Sequence, residues 1–321
     1  MSTAFIVLLL VAGLYVGWNI GANDAGNCVG TAVGSGLISF RRAVLLIAVF
    51  AIAGAVLQGQ HVMKTIGTGI VAQTLPPEAT LVILLCSGLF VTLATFARVP
   101  VSTSQAIVGG VAGVGYAAGA VVNTGKMLTI LECWVLCPVL TMALSFGMYW
   151  LLLAYLRRTK RAALVMRVLG ALVVLSACYV AYSLGANNVG SAIGPLANQN
   201  VLDVDLLIIL GGVALAVGAI TFGHRVTETV GRNITPLDLP GALSAQVAAG
   251  LGIHLFSMFG IPVSTSQAIV GGVLGVGLVR GMRAVSKKKL GVIAAGWVLT
   301  PTLTGVVAFL IYGAIRMALG S

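Results

Sequence analysis

The sequence predicts an all-α polytopic membrane protein made of two inverted-topology repeats, with roughly 10–12 membrane segments, some of them discontinuous or re-entrant half-helices. Three observations carry this expectation. Of 321 residues, 59% are hydrophobic and only 8% are charged, with a mean hydropathy of +1.09, whereas a soluble domain carries about 25% charged residues. Apolar runs long enough to cross a hydrocarbon core, about 20 residues each, recur from end to end. The chain also contains itself twice.

In chain order, the first span falls at 4–20. It follows Met-Ser-Thr-Ala-Phe, with no basic stretch and no small-residue cleavage site, so it reads as a membrane segment rather than a removable signal. Residues 24–38 are too short and too Gly-rich for a full crossing and read as a half-helix. Arg41 and Arg42 precede the span 43–59, and 80–97 is the third span. Pro100 stops it, and 101–118 is a second short segment. The long run 128–156 ends in a basic stretch holding Arg157, Arg158, Lys160, Arg161 and Arg167. The pattern then repeats: span 164–183, short piece 186–197, spans 205–222 and 241–259, short piece 264–279 opened by Pro262, and span 290–318. Arg280, Arg283, Lys287, Lys288 and Lys289 form a second basic cluster before the last span. The five cysteines all lie inside apolar runs, in no metal-ligand spacing with histidine, and read as small core residues.

The repeat is explicit. Residues 99–115 (VPVSTSQAIVGGVAGVG) and 261–277 (IPVSTSQAIVGGVLGVG) agree at 15 of 17 positions, offset by 162. GANDAGN from Gly21 and GANNVGS from Gly185 are offset by 164, as are Lys64-Thr65-Ile66-Gly67 and Glu228-Thr229-Val230-Gly231. The expected units are 1–156, a basic linker at 157–161, and 162–321. Loop charge gives their relative orientation: Arg41 and Arg42 correspond to Asp203 and Asp205, and the basic run 280–289 corresponds to a stretch with one basic residue. Equivalent loops that differ this way lie on opposite sides of the membrane under the positive-inside rule. The reading puts loops 41–42, 157–167 and 280–289 in the cytoplasm and both termini outside, in a multi-pass protein of the cell membrane. The net charge of +11 is accounted for by these loops, without nucleic acid.

Broken segments at matching positions of inverted halves point to a midplane binding site. After Pro100, Ser102 or Thr103 can cap the next helix, whose first turn offers unpaired N–H groups and the positive end of the macrodipole. With Ser102, Thr103, Ser104 and Gln105 added, the turn offers many neutral donors, which suit an oxyanion. Ser264, Thr265, Ser266 and Gln267 repeat the set from the other half. Found once, such a motif is ordinary helix capping; found twice in inverted halves, it predicts two helix beginnings converging on one tetrahedral anion. Gly109 and Gly110 allow close helix contact. Asp24 places a carboxylate at membrane depth, a functional hypothesis by default. Asn23, Asp24 and Asn27, with Asn187 and Asn188 from the other half, offer hard oxygens for a coupling cation, Na+ at Asn23, Asp24 and Asn187 being the expected set. Lys64 and Glu228 stand at equivalent positions and can meet as an ion pair or face separate aqueous mouths; Glu228 is expected to take part in coupling. No activated nucleophile or metal cluster is visible, so an enzyme is not expected.

These motifs (GANDAGN at 21–27, GANNVGSAIGPLA at 185–197, both PVSTSQAIVGG blocks and TETVGRNITPL at 227–237) resemble those of the inorganic phosphate transporter family, which also includes related sulfate permeases. The resemblance covers both halves. It implies inverted repeats around a midplane site, usually a homodimer, no cofactor beyond Na+ or H+ as coupling ion, and anion and sodium ligands among Asn23, Asp24, Ser102, Thr103, Ser104, Asn187, Ser264, Thr265 and Ser266. The chain departs from the commoner family pattern at Asn188, where phosphate members commonly carry Asp, at Gln105 and Gln267, where they often carry His, and at Lys64, which stands where the other half keeps Glu228. The expected function is cation-coupled import of inorganic phosphate. Sulfate, coupled to H+ or weakly coupled, is the alternative. A fixed carboxylate rewards a protonated anion that can donate a hydrogen bond, which leans the balance to phosphate; a sodium ion neutralising Asp24 removes that preference.

Overall fold

The computed structural model describes residues 1–34, 36–99, 101–224, 237–281 and 287–319. Glu228 and most of the TETVGRNITPL motif lie outside these residues. Among the described residues the chain is helical: α1 (Thr3–Gly34), α2 (Phe40–Lys64), α3 (Pro77–Phe96), α4 (Thr103–Ala117), α5 (Thr124–Arg158), α6 (Ala162–Leu184), α7 (Gly190–Ala197), α8 (Val204–Phe222), α9 (Leu239–Met258), α10 (Thr265–Arg280) and α11 (Lys287–Leu319). Eight helical stretches are long and apolar enough to cross a membrane, and they match the eight full spans expected from the sequence. The protein is a polytopic membrane protein.

Two of the four expected half-helices are not separate. Residues 24–34 continue α1, whose 32 residues span about 48 Å at 1.5 Å per residue. Residues 186–197 continue α6 through one π-helical turn, Gly185–Val189, into α7. The glycines there do not break the helix. They let another backbone approach. A Cβ on Gly21 would lie 1.8 Å from the Leu215 carbonyl oxygen of α8, and one on Gly185 would lie 1.9 Å from that of Ala51 in α2. The pair is equivalent on both sides, 21 to 185 and 215 to 51, so one crossing geometry is used twice.

The short segments after the two prolines do stand alone. α4 has 15 residues and α10 has 16. Each follows a helix that ends at a residue in the left-handed region, Arg98 (φ 57°) after α3 and Gly260 (φ 67°) after α9, the usual way a chain leaves a helix sharply. Each then packs onto the long helix of the other half. Gly109 and Gly113 of α4 press on the α11 backbone at Pro301 and Gly305, and Gly271 and Gly275 of α10 press on α5 at Pro138 and Met142, all with virtual Cβ distances of 2.1–2.3 Å. This is small-xxx-small packing, driven by close backbone contact where lipid supplies no hydrophobic force. The two halves therefore interlock rather than sit side by side.

The partition of side chains suits a bilayer. Leu45, Leu57, Leu93, Val135, Leu151, Val298 and Leu310 are exposed, whereas Asn19, Asn23, Asp24, Asn27, Ser102, Thr103, Asn187, Asn188, Ser264 and Gln246 are buried. Glu132 is exposed on α5. One ion pair among the described residues, Arg280 with Asp238 at 2.5 Å, ties the end of α10 to the start of α9, and Tyr149 of α5 hydrogen-bonds to both.

Candidate functional site

Ser102 takes the N-cap of α4 (φ −99°, ψ 108°) and accepts from the Gln105 N–H at 3.2 Å. Ser264 caps α10 in the same way (φ −94°, ψ 118°), accepting from the Gln267 N–H at 3.2 Å. Extended backbone after a proline and a hydroxyl at the cap are the local reasons both helices begin where they do. Capping frees the residues that follow to face inward. The Thr103 hydroxyl donates to Asp24 Oδ2 at 2.7 Å, and Ser264 and Ser266 hydroxyls lie 3.0 Å apart.

Asn188 joins these parts. Its Nδ2 donates to Asp24 Oδ2 at 2.9 Å and to Thr103 Oγ1 at 3.2 Å. Its Oδ1 faces the hydroxyls of Ser104 and Thr265, each at 3.4 Å. One amide thus touches the first turns of both short helices. Asp24 and Asn188 hold equivalent positions in the two sequence repeats, 164 residues apart, and they touch. Asn27 Nδ2 donates to the other Asp24 oxygen at 3.0 Å. Asp24, Asn188, Ser102, Thr103, Ser104, Ser264, Thr265 and Ser266 are at most 2% exposed, and Gln267 is 5% exposed. Among the buried described residues Asp24 is the one charged side chain. The site is buried, acidic by one charge, and rich in neutral donors.

Asn23 and Asn187, the equivalent asparagines of the two repeats, bond to the backbone of two equivalent loops. Asn23 Nδ2 donates to Thr95 Oγ1 (2.9 Å) and the Val99 carbonyl (3.2 Å), while its Oδ1 accepts from the Val101 N–H (3.1 Å). Asn187 Nδ2 donates to Ser257 Oγ (2.9 Å) and the Ile261 carbonyl (3.1 Å), while its Oδ1 accepts from the Val263 N–H (3.2 Å). Both amides are committed to the loops that precede the serine motifs. Of the expected sodium set Asn23, Asp24 and Asn187, Asp24 is the one bonded to Asn188 and Thr103 at the shared centre.

Gln105 and Gln267 carry buried side-chain oxygens with no hydrogen-bond partner among the described residues, as do Asn27 and Thr31. A carbonyl oxygen accepts and cannot donate to an anion, so of each glutamine only the amide nitrogen has a donor to offer one. Thr31 was not singled out by the sequence reading. Its signal was spacing: Asp24, Asn27 and Thr31 fall at i, i+3 and i+7, one face of α1.

Lys64 was expected to meet Glu228 or to face water. It lines an open cavity of about 880 Å³ together with His61, Lys126, Asp203, Asp205 and Gly260. A π-helical turn, Thr65–Gly69, follows Lys64 directly, a distortion frequent at functional sites. Gly260 is also where the loop into Ser264 begins, so the cavity stops one loop short of the buried centre. His254 is bonded to the Tyr179 hydroxyl (2.9 Å) and His224 packs edge-on against Phe40, so neither reaches the centre.

The chain is similar to known proteins. The phosphate transporter family matches the chain twice, over residues 20–173 and 155–308. The chain is 33% identical to the sulfate permease of Bacillus subtilis over 272 residues, which cover 84% of this chain and 76% of that protein. It is 31% identical to a candidate phosphate permease of Methanocaldococcus jannaschii over 273 residues, 85% of each chain. The fold matches a solved sodium-dependent phosphate transporter with a TM-score of 0.91 and 27% identity, covering 98% of this chain and 100% of that one.

Proposed function

The chain belongs to the phosphate transporter family, and on that premise we propose that it is a secondary active transporter importing inorganic phosphate together with a cation, Na+ by preference, through an alternating-access site centred on Asp24 and Asn188. The observation that carries the reading is the Asn188 amide, which bridges Asp24 and the first turns of both short helices. In the proposal the anion sits on the first-turn N–H groups and hydroxyls of α4 and α10, with Ser102, Thr103, Ser104, Ser264, Thr265 and Ser266 around it and Gln105 and Gln267 at its margin. The cation sits beside Asp24 and Asn27.

The charge balance gives the coupling its physical reason. A phosphate dianion placed beside Asp24 brings three negative charges together with no buried lysine or arginine among the described residues to offset them. Ions in a low-dielectric site are costly unless paired. The anion therefore enters only with cations, and a cation held by Asp24 is released with it. Neutral donors bind the anion without trapping it, as a carrier requires. The remaining parts of the proposal are a homodimer in the cell membrane, units 1–156 and 162–321 inverted about the Asp24–Asn188 contact, both termini external and loops 41–42, 157–167 and 280–289 cytoplasmic, and no catalytic chemistry. Glu228 keeps its proposed coupling role on sequence grounds.

Sulfate is the second reading, supported by likeness to a sulfate permease and by a centre with one carboxylate rather than two. Counterflow in proteoliposomes separates the readings: vesicles loaded with unlabelled phosphate or sulfate take up labelled phosphate or sulfate, with and without Na+. Phosphate exchange that needs Na+ and is spared by sulfate supports the proposal. Sulfate exchange indifferent to Na+ overturns it.

A further inference from the structure

The two loops that lead into the short helices are held by the same set of bonds. Two residues past the ends of α3 and α9 stand Arg98 and Gly260, both in the left-handed region and 162 residues apart. Each helix is closed there by a matching bond from the next N–H, Val99 to the Ala94 carbonyl at 2.9 Å and Ile261 to the Phe256 carbonyl at 2.9 Å. Beyond that point, among the described residues, Val101 and Val263 give their N–H groups to asparagine side chains. What fastens each loop is one asparagine: Asn23 grips the carbonyl of Val99 and the N–H of Val101, and Asn187 grips the carbonyl of Ile261 and the N–H of Val263. Each asparagine is itself braced by a hydroxyl at the end of the preceding helix. Thr95 and Ser257 accept from the amides and donate to their own i−4 carbonyls at 2.8 and 2.7 Å.

The placement of these loops gives the bonds a consequence. The large cavity reaches Gly260, while Val263, three residues further on, is fully buried and Ser264 is 1% exposed. Loop 259–263 is therefore what separates water in the cavity from the serine cap of α10. In the first repeat Val101 and Ser102, at the equivalent positions, are likewise buried, 3% and 1% exposed.

We propose that Asn187 and Asn23 are positioning residues that latch these two loops, Asn187 closing the site toward the cavity bearing Lys64 and Lys126, and Asn23 closing it toward the opposite side. Access then alternates by releasing one latch while the other holds. An asparagine suits this work because a single side chain offers a donor and an acceptor to two backbone groups, and both must be broken for the loop to move. Neither bond involves a charge, so each costs little to break in turn. The inference takes from the proposed function only that substrate reaches the buried centre from both sides.

The test needs no substrate, so its failure leaves the substrate assignment standing. Cysteine is introduced singly at Val263 and at Val101, both buried, in the full chain purified in detergent; the five native cysteines are buried and give the baseline. Reaction with a membrane-impermeant thiol reagent is timed for each, alone and combined with Asn187→Ala or Asn23→Ala. Two lost neutral hydrogen bonds raise the open population about tenfold or more. Asn187→Ala is expected to speed labelling of Val263→Cys by that factor and to leave Val101→Cys unchanged; Asn23→Ala is expected to do the reverse. Equal acceleration at both positions, which general loosening of the fold would give, or no acceleration at either, overturns the proposal. If Asn187→Ala does not fold, Asn187→Asp takes its place, keeping the acceptor for the Val263 N–H and turning the donor into an acceptor against the Ile261 carbonyl, with the same side-specific result expected.

Discussion

Replacing Asn188 with aspartate tests the charge balance at the centre of the site. The Asn188 amide nitrogen lies 2.9 Å from Asp24 Oδ2, so a carboxylate in its place puts two negative oxygens about 3 Å apart. At an effective dielectric of about 20 the repulsion is about 5 kcal/mol, close to four powers of ten in an equilibrium constant. The substitution also turns a donor toward Asp24 into an acceptor. Two such carboxylates cannot both stay charged without a cation between them. N188D is thus expected to take up substrate far more slowly than the parent at low Na+, and to recover as Na+ is raised or the pH lowered, with a steeper dependence on cation concentration. The assay is the initial rate of labelled phosphate uptake into proteoliposomes across a Na+ series at two pH values. N188A, which removes the donor and adds no charge, serves as the control and should show no added cation requirement. Uptake by a folded N188D protein with the parent's cation dependence would refute the assignment of Asp24 and Asn188 to a shared ion site.

Two further outcomes follow from the same geometry. Ser102→Ala and Ser264→Ala each remove a helix cap worth about 1 kcal/mol, and because both caps organise one site, each should weaken anion affinity about fivefold; titrating labelled anion in detergent checks this, and normal affinity in both variants contradicts convergence. Gly275→Leu drives a side chain into the Met142 carbonyl, where even a Cβ would sit at 2.2 Å, whereas a side chain at Gly313 meets nothing within 4 Å; G275L should lose about 3 kcal/mol of stability and G313A almost none, as read by thermal unfolding in detergent.

The eight long spans were legible because composition and run length alone separate lipid-facing helices from loops. The doubling was legible as well, and with it the caps at Ser102 and Ser264, since a proline followed by hydroxyls is a local signal that needs no tertiary context. The half-helices expected at 24–38 and 186–197 were not real breaks. A Gly-rich stretch reads the same whether the glycines interrupt a helix or admit a neighbour, and only the approach of Leu215 to Gly21 and of Ala51 to Gly185 distinguishes the two. The loop bonds of Asn23 and Asn187 were not legible for a similar reason. Adjacent polar residues in an apolar run look alike in sequence, yet neighbours on a helix point about 100° apart. Asn23 therefore faces the loop after α3 while Asp24 faces Asn188. Lys64 could not be placed from sequence because its surroundings, Asp203 and Lys126 among them, come from distant parts of the chain.

The most direct measurement is made on Asp24→Asn, which removes the charge while keeping the shape of the side chain. Labelled phosphate uptake driven by a Na+ gradient is compared with phosphate counterflow at equal Na+ on both sides, alongside thermal unfolding of the purified protein. The account predicts that the variant keeps its fold and loses the response to the Na+ gradient. A folded D24N protein that still concentrates phosphate in proportion to the Na+ gradient contradicts it.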